Sequence, residues 1–580
     1  MSTLAAINQA IAAYNRHVEA QVLRARTDAE FQQELLTRWD AIRKGIDTVI
    51  TPTGLELPRL ALPSTDEPAE IARYLYNEGL PGDFPFVNGI YPAMYLEGKT
   101  VEEPTRLFAG LGLAEDTNQR FHTLTRYQRH IRLSTAFDGP TLYGLDSDAE
   151  GVFGKVGEGG VAIATIEDMA RLYAGFPLDD EHFSVSMTIN GPAPIILAMY
   201  VAAAQRRFGP DVAPKLRGTV QADILKEVQA QNEIIFPLEA SLRFLTDMVE
   251  YTTRHMPRWY PISISGYHIA EAGATPIQQA AYTLSNGFAY VEFFREHGLE
   301  VDRFGPRLSF FLDCGLDIEY LALARVCRKL WAIAMREVFQ AAPRAQRLRL
   351  HTQTSGRSLI ANLFKNNMTR TAVELMLAYM NSTDSCHSNG ADEAFTTPSP
   401  EYVQLAAHAQ AILLEETGLF KYMMNALSGS PGMKIVEQAV EEGIMVEFAE
   451  IDRIGGVLAA IEQRYQRGQI QASAHRYERQ IHANERPVIG LNRYRDPAEK
   501  LPEVQLVRTP PERKHLQIER LQQFKRHHQE QSKRMLDRLA EVVDGKGNVF
   551  AELINTVEAC SLGQITARLA ESVGWHRPSV

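Results

Sequence analysis

The sequence predicts an α/β protein built on a (β/α)8 TIM barrel, with an N-terminal helical arm and a C-terminal helical region. Two observations predict the barrel. Between about residues 70 and 410, short strand-like runs alternate with segments of helical length, which is typical of parallel βαβ units. The number of runs also fits a barrel, because seven are found and only one further strand stays unplaced. The runs are RLSTAFD (132–138), SVSMTIN (184–190), GTVQADI (218–224), ISISGYH (262–268), RLSFFLD (307–313), LRLHTQT (348–354) and DSCHSN (384–389).

The same pattern predicts three regions along the chain. Residues 1–65 are the N-terminal helical arm, which starts as an amphipathic helix without the features of a signal peptide and ends in a proline-spaced stretch. Residues 66–410 hold the barrel. Residues 411–580 are a helical C-terminal region that includes a charged amphipathic stretch at 512–543.

The composition argues against several classes of protein. The chain has 580 residues, 45% of them hydrophobic, so it can bury a large core. The net charge of −11 and the scattered basic residues argue against a nucleic-acid surface. The longest apolar run, at 193–204, is too short to span a bilayer, and the four cysteines lack a C-x-x-C pair. We therefore expect a cytoplasmic protein with no nucleic-acid or membrane partner and no metal site of its own.

Alternation within the strands predicts an unusual barrel interior. Side chains at i and i+2 share a face, so Ser184, Ser186 and Thr188 point one way and their apolar neighbours the other. The apolar rows must pack on the outer helices, which leaves hydroxyl rows at the axis, where Val, Ile and Leu are usual. Such an axis either holds a long, thin polar ligand or forms a small-residue core hydrogen-bonded to its own backbone. We favour the ligand.

Polar side chains collect where several of these strands end, at the edge where barrel enzymes assemble their active sites. They are Gln221, Tyr267, His268, Gln353, His387 and Asn389. Each alone could be a satisfied structural residue, but their recurrence at corresponding strand ends favours a site. Neither H-E-x-x-H nor G-x-S-x-G occurs, so zinc-dependent or serine-triad hydrolysis has no support.

Several long motifs, in matching order over about residues 70–500, resemble one enzyme family. They are SISGYHIAEAGA, VSMTINGP, GTVQADILKE, PRLSFF, HTQTSGRSL, HSNGADEA and VIGLNRY. They resemble the large, substrate-binding part of the adenosylcobalamin-dependent acyl-CoA mutases, the methylmalonyl-CoA mutase family. The resemblance implies a barrel threaded by the pantetheine arm of CoA. It also implies radical chemistry, initiated by adenosylcobalamin, in which the thioester carbonyl group migrates to the neighbouring carbon.

The resemblance assigns roles to residues at matching positions. The catalytic positions are His268, Tyr267 and Gln221, with the histidine donating a hydrogen bond to the thioester carbonyl oxygen. The positions that hold the adenosyl ribose are Glu271, Asn389 and Glu393. The substrate-binding positions are Phe108, Gln231, Tyr91, Met94, Arg307, Ser309 and Gln353. For Tyr91, Met94 and Arg307, ordinary packing or a surface pair remains the alternative.

Two of these positions bear on the acyl group. Family members acting on methylmalonyl-CoA have a tyrosine and a carboxylate-binding arginine where this chain has Phe108 and Gln231. A substrate carboxylate buried against a neutral amide would be an uncompensated charge. The Phe–Gln pair is expected of members that interconvert isobutyryl-CoA and n-butyryl-CoA, and Ala136 replaces an aspartate expected for 2-hydroxyisobutyryl-CoA. The alternatives are 2-hydroxyisobutyryl, pivalyl or methylmalonyl substrates, or a catalytically silent structural subunit.

The resemblance also implies partners. The family's cobalamin-binding signature, Asp-x-His-x-x-Gly, occurs nowhere in the sequence, so we expect a separate small cobalamin-binding subunit. The GTPase domain of fused family members is missing as well, which makes a separate GTPase chaperone a further expected partner. By the same resemblance, two large subunits would form a homodimer within a heterotetramer.

Overall fold

The computed structural model describes residues 2–96, 105–126, 128, 130–426, 428–495, 498, 506–545 and 547–577. The strands are β1 (Thr48–Ile50), β2 (Glu56–Pro58), β3 (Leu107–Ala109), β4 (Ile131–Ala136), β5 (Phe183–Thr188), β6 (Gly218–Val220), β7 (Trp259–Tyr260), β8 (Ile262–Ser265), β9 (Leu308–Cys314), β10 (Arg349–Thr354) and β11 (Ser385–His387).

The helices alternate with the strands in the first two thirds of the chain and follow one another in the last third. They are α1 (Thr3–Thr27), α2 (Ala29–Lys44), α3 (Pro68–Arg73), α4 (Ala114–Leu124), α5 (Gly139–Leu142), α6 (Ile166–Leu172), α7 (Ala193–Phe208), α8 (Ile224–Gln229), α9 (Leu238–His255), α10 (Tyr267–Glu271), α11 (Pro276–Glu296), α12 (Val301–Phe304), α13 (Leu323–Glu337), α14 (Asn367–Met380), α15 (Pro400–Ala411), α16 (Pro431–Ile454), α17 (Val457–Glu462), α18 (Tyr465–His482), α19 (Pro511–His527), α20 (Gln529–Asp544), α21 (Val549–Thr556) and α22 (Leu562–Val573).

The strands after the β1–β2 antiparallel hairpin form two parallel sheets. One has the order β3-β4-β5-β6-β7 and the other the order β11-β10-β9-β8. Every neighbouring pair in both sheets is parallel, which requires a crossover between successive strands. A mixed α/β architecture with parallel sheets, as the sequence predicts, is thereby confirmed.

Hydrogen bonds join the two sheets at both of their ends. At one junction, the Ser263 N–H donates to the Gln221 carbonyl at 2.9 Å, and only Pro261 separates β7 from β8. At the other, a parallel bridge pairs Thr105 with Cys386, and the Arg106 N–H donates to the Cys386 carbonyl at 3.1 Å. The two sheets therefore adjoin at both ends, between β8 and the end of β6 and between β11 and the residues before β3.

The seven sequence-predicted runs each contain a parallel strand, and the parallel strands outside these runs are β3 and β7. Five of the strands end earlier than their runs, and two of these differences, at β6 and β8, bear on the site. β6 stops at Val220, and Ala222 has a left-handed backbone with φ +50°, so the inward–outward alternation expected through Asp223 is wrong beyond Gln221. Tyr267 and His268 lie in the short helix α10 and not on the strand itself.

The core lies between the sheets and their helices. The apolar run at 193–204 becomes α7, whose residues from Ala193 to Ala204 are all buried. α1 packs on α3, α13 and α16, while α21 packs on α7 and α9. No helix among the described residues is long and apolar enough to cross a membrane. The division of the chain at residues 65 and 410 stays a prediction.

A capped helix braces the strand that carries the candidate site. α11 begins with Thr275, whose hydroxyl accepts the Gln278 N–H while the Gln278 side chain accepts the Thr275 N–H. Pro276 then occupies the first turn, where its missing N–H costs nothing. This fixes the start of a 21-residue helix against β8 and β9.

Candidate active site

A cavity of about 750 Å³ lies between the parallel strands. Each strand from β3 to β11 contributes at least one residue to its wall. The hydroxyl-bearing residues of the wall include Ser184, Ser186, Thr188, Thr219, Ser263 and Ser309. The hydroxyl rows singled out in the sequence therefore face an interior space.

One end of this cavity is rich in arginine. The basic mouth comprises Arg217, Arg258, Arg303, Arg307, Arg344 and Arg349. Each of them lies at the start of a strand or in the segment that leads into one. The carboxylates on the same lining are those of Asp302 and Asp384. The mouth therefore favours an anionic group at the amino-terminal ends of the strands.

His268 follows the carboxyl end of β8 and is held there by the strand-to-helix turn. Gly266 separates β8 from α10, and a β-carbon there would lie 2.3 Å from the Thr283 hydroxyl, so only glycine allows this approach to α11. The Ser265 hydroxyl lies 2.6 Å from His268 Nδ1. Burial, and then the positive charge of Lys226, lower the pKa of His268 well below its usual range. The imidazole is therefore neutral.

A chain of side-chain amides joins Tyr267 to the end of β11. The Tyr267 ring stacks on Phe311 with 4.8 Å between ring centroids. Gln353 Nε2 donates to the Tyr267 hydroxyl oxygen at 3.0 Å and to Asn389 Oδ1 at 2.9 Å. Asn389 is itself fixed, because its Nδ2 donates to the Thr354 carbonyl at 2.8 Å. These residues of three strand ends form one rigid group.

Three carboxyl groups lie beside this group. Glu271 Oε1 accepts the Gly356 N–H at 2.7 Å, and burial raises the pKa of Glu271. Desolvation by the surrounding protein, and then the charge of Glu271, raise the pKa of Glu393 to about 7. Burial, and then Glu271, also raise the pKa of Asp313 to about 7. Burial thus makes all three carboxyl groups harder to ionise than carboxyl groups in solvent.

A second polar network runs from Gln221 to Gln231. Asn190 Nδ2 donates to Gln221 Oε1 at 3.1 Å and to Glu227 Oε1 at 2.7 Å. Glu227 pairs with Lys226, and both side chains are fully buried. The Lys226 ammonium also donates to the side-chain oxygen of Gln231. The amide oxygens of both glutamines are thereby engaged, which leaves their NH₂ groups as the available donors.

Phe108 lies on the cavity wall against two histidines. Its ring centroid is 4.4 Å from that of His387 and 6.0 Å from that of His351. The His351 Nδ1 lies 2.7 Å from the Ser385 hydroxyl. Burial, and then Arg106, lower the pKa of His351 well below its usual range. Phe108 therefore packs against two imidazole rings whose pKa values lie below the ordinary value.

The remaining predicted substrate positions divide between the cavity and the core. Arg307 and Ser309 line the cavity, and Arg307 Nη1 donates to the carbonyls of Thr252 and Thr253. The Tyr91 hydroxyl accepts a hydrogen bond from Arg349 of the basic mouth. Met94 is 5% exposed and packs in the main hydrophobic core, so the structure does not bring it to the cavity wall.

Sequence reasoning did not identify several residues that complete these networks. They are Asn190, Lys226, Glu227, Ser265, His351 and most of the arginines of the basic mouth. Lys226 and Glu227 are adjacent charged residues shortly after a strand, a pattern that predicts a solvent-exposed pair and gives no indication that both are buried. Among the described residues, no group of three or more His, Cys, Asp or Glu side chains could hold a metal ion.

Comparisons with known proteins give a consistent result. The family described as Methylmalonyl-CoA mutase matches residues 56–575. The chain is 44% identical over 556 residues to a fused isobutyryl-CoA mutase of Geobacillus kaustophilus, covering 91% of this chain and 51% of that protein. It is 39% identical to the 2-hydroxyisobutanoyl-CoA mutase large subunit of Aquincola tertiaricarbonis, covering 86% and 88%. It is 38% identical to the human mitochondrial methylmalonyl-CoA mutase, covering 86% and 66%. The chain therefore spans about half the length of the fused relative.

Proposed function

The chain belongs to the methylmalonyl-CoA mutase family, and we propose that it is the substrate-binding, catalytic large subunit of an adenosylcobalamin-dependent acyl-CoA mutase. Its reaction would be the 1,2-migration of the thioester carbonyl group that interconverts isobutyryl-CoA and n-butyryl-CoA. One observation carries the proposal. A hydroxyl-lined cavity runs from an arginine-rich mouth towards a neutral histidine and an acceptor-rich pocket.

We further propose that the parallel strands close into one (β/α)8 barrel. β7 and β8 would count as a single strand interrupted at Pro261, which gives eight strands in all. The hydrogen bond from Ser263 in β8 to Gln221 after β6 and the bridge between Thr105 and Cys386 support closure, because they link the two sheets at both ends.

The cavity explains how an acyl-CoA would bind. The pantetheine arm is long, thin and polar at its amides, which suits an axis lined by serine and threonine hydroxyls. The nucleotide phosphates would lie in the basic mouth, where guanidinium groups bind phosphate oxygens in charge-assisted pairs. The acyl thioester would then lie at the far end, beside His268 and Gln221.

His268 would donate a hydrogen bond to the thioester oxygen. Its Nδ1 is engaged by Ser265, and its Nε2 has no hydrogen-bond partner among the residues that the structure describes. Because the imidazole is neutral, it can stabilise charge that develops on the oxygen without transferring a proton. The Gln221 NH₂ group is a second donor from the adjoining strand.

The residues present fit the adenosyl group of adenosylcobalamin. Glu271 Oε1 accepts from the Ser355 hydroxyl and the Gly356 N–H, and Oε2 would accept from a ribose hydroxyl. Asn389 and Glu393 would complete this ribose pocket. When bound, adenosylcobalamin supplies the radical that initiates the rearrangement. The aromatic and amide side chains around Tyr267 would exclude water and keep the acyl group in place.

Phe108 and Gln231 support the choice of acyl group. Phe108 presents an apolar ring with no hydroxyl, and Gln231 presents an amide where a carboxylate would need a cation. The buried ammonium of Lys226 is already paired with Glu227. A branched or linear acyl chain without charge therefore fits this region.

The partners are part of the same proposal. We propose that a small cobalamin-binding subunit docks at the carboxyl ends of the strands, next to Glu271 and Glu393. A GTPase chaperone and a heterotetramer built on a homodimer of this chain are further elements of the proposal. The relative named as a large subunit, which this chain covers to 88%, supports the division into subunits.

The decisive experiment mixes the chain with a small cobalamin-binding subunit and adenosylcobalamin, then assays a panel of acyl-CoAs. We expect isobutyryl-CoA and n-butyryl-CoA to interconvert, and His268→Gln to lower kcat by about 100-fold or more. Turnover of a different acyl-CoA only would contradict the substrate. A panel without any turnover would contradict the enzymatic role itself.

A further inference from the structure

Ser265 and His268 form a contact that is fixed by the fold on both sides. Ser265 ends β8, its side chain is fully buried, and its backbone N–H donates to Asp223 Oδ2 at 2.7 Å. The Asp223 carboxylate also accepts the Tyr290 hydroxyl at 2.6 Å, which ties the strand end to α11. His268 follows after the tight turn at Gly266. The 2.6 Å separation between Ser265 Oγ and His268 Nδ1 is therefore set by the backbone.

The position of the proton in this contact follows from hydrogen-bond satisfaction. Within the described part of the chain, His268 is the one hydrogen-bond partner of the Ser265 hydroxyl. If Nδ1 carried the proton, the buried hydroxyl hydrogen would have no acceptor, which costs about 1–3 kcal/mol. If the hydroxyl donates to Nδ1, both groups are satisfied and the imidazole proton lies on Nε2.

The surroundings of His268 disfavour a second proton. Burial disfavours a charged imidazole, and the positive charge of Lys226 adds to this effect, so the pKa of His268 is lowered. The rings of Tyr267 and Phe311 stand perpendicular to the imidazole, at 5.3 and 5.8 Å between centroids, so they limit its rotation. Because the ring carries one proton, the hydrogen bond between Ser265 and Nδ1 decides whether Nε2 carries that proton.

We propose that Ser265 is a positioning residue that donates to His268 Nδ1 and so holds the histidine as its Nε2–H tautomer, with a donor aimed at the acyl thioester oxygen. This inference rests on the proposed function for the identity of the acceptor, but the tautomer itself does not. Without the hydroxyl, the imidazole can turn or change tautomer. It then presents a lone pair to the carbonyl oxygen instead of a proton.

The test compares three variants. Ser265→Ala removes the hydroxyl and Ser265→Thr retains it. Ser285→Ala is the matched control, since Ser285 is equally buried and its hydroxyl donates only to the Tyr282 carbonyl within α11. Nitrogen-15 NMR of histidine-labelled chain, with His268 assigned by loss of its signals in His268→Gln, reports the tautomer without substrate or cofactor.

We expect the Nε2–H tautomer in the wild type, Ser265→Thr and Ser285→Ala, and a mixture or the Nδ1–H form in Ser265→Ala. In the complete enzyme, Ser265→Ala should lower kcat by about 10-fold or more with little change in KM, and threonine should restore most of it. An Nδ1–H wild type, or an Ser265→Ala protein with unchanged tautomer, would overturn the inference. A wild type without turnover contradicts the proposed function alone, because the NMR result still decides the tautomer.

Discussion

The Glu271 carboxylate accepts the Gly356 N–H at 2.7 Å, and a β-carbon at Gly356 would lie 2.8 Å from its other oxygen. The loop after β10 is thus packed so closely on the carboxylate that any side chain at this position would displace it. The displaced oxygen, Oε2, is the atom that we propose accepts a hydrogen bond from a ribose hydroxyl. This contact therefore links the shape of a loop to the proposed cofactor pocket.

Gly356→Ala should weaken adenosylcobalamin binding without unfolding the protein. A displaced Glu271 would lose a hydrogen bond to the ribose, and such a bond to a charged group contributes about 1.5–3 kcal/mol, or about 10-fold or more in Kd. Titration of the chain with its cobalamin-binding partner measures this change. Gly468→Ala in α18, where nothing lies within 4 Å of the added carbon, is the control. Equal weakening for a cobalamin without the adenosyl group would contradict the prediction.

Asp313→Asn should change how stability depends on pH. The folded pKa of Asp313 is about 7 against an ordinary value of 3.8, so the unfolded chain loses this proton first as pH rises. The stability that this group contributes is therefore lost as pH rises from about 4 to about 7. Asparagine does not ionise and avoids this loss, and its side-chain oxygen can still accept the hydrogen bond from the Tyr320 hydroxyl. Relative to wild type, the variant should melt higher at pH 8 and gain little at pH 4. Thermal melts at both pH values measure the difference.

The matched control for this pH dependence is Glu519→Gln, on the exposed face of α19. It should leave the difference between the two pH values unchanged. A wild type and an Asp313→Asn protein with parallel stability profiles from pH 4 to pH 8 would show that Asp313 is ionised throughout.

Arg258→Ala and Arg344→Ala should each weaken CoA binding through the basic mouth. Both side chains are exposed and line the cavity entrance, so their loss should not disturb the core. We expect a change in Kd of about 3- to 10-fold for each, shrinking as salt rises, because exposed charges are screened. Calorimetric titration of CoA into the chain measures it. Pantetheine, which lacks the phosphates, should bind both variants as tightly as it binds wild type. The Arg534→Ala control should bind both CoA and pantetheine as wild type does.

The hydroxyl-lined cavity was predictable because strand alternation is local. Ser184 and Ser186 share a face whatever the rest of the fold does, and they line the cavity because the apolar residues between them are buried on the other face. His268 was predictable as a strand-end residue for the same reason. β3 was not, because three residues carry too little pattern to distinguish a strand from a loop.

The polar networks were not predictable because they join residues far apart in the sequence. Lys226 and Glu227 resemble a solvated surface pair in the sequence, yet both are fully buried through contacts with Asn190 and Gln231. The left-handed Ala222 ends the alternation of β6 for a reason that no neighbour in the sequence indicates. Burial of charge depends on the tertiary fold, which local patterns do not report.

Gln231→Arg should shift the substrate preference towards acyl-CoAs that carry a free carboxylate. The new guanidinium would lie beside the Lys226–Glu227 pair and would bind the free carboxylate of such a substrate. In the complete enzyme, kcat/KM for isobutyryl-CoA should fall by about 10-fold or more, while turnover of methylmalonyl-CoA should rise above background. Gln523→Arg on the exposed face of α19 should change neither rate. An unchanged ratio of the two rates in Gln231→Arg would mean that this residue does not face the acyl group.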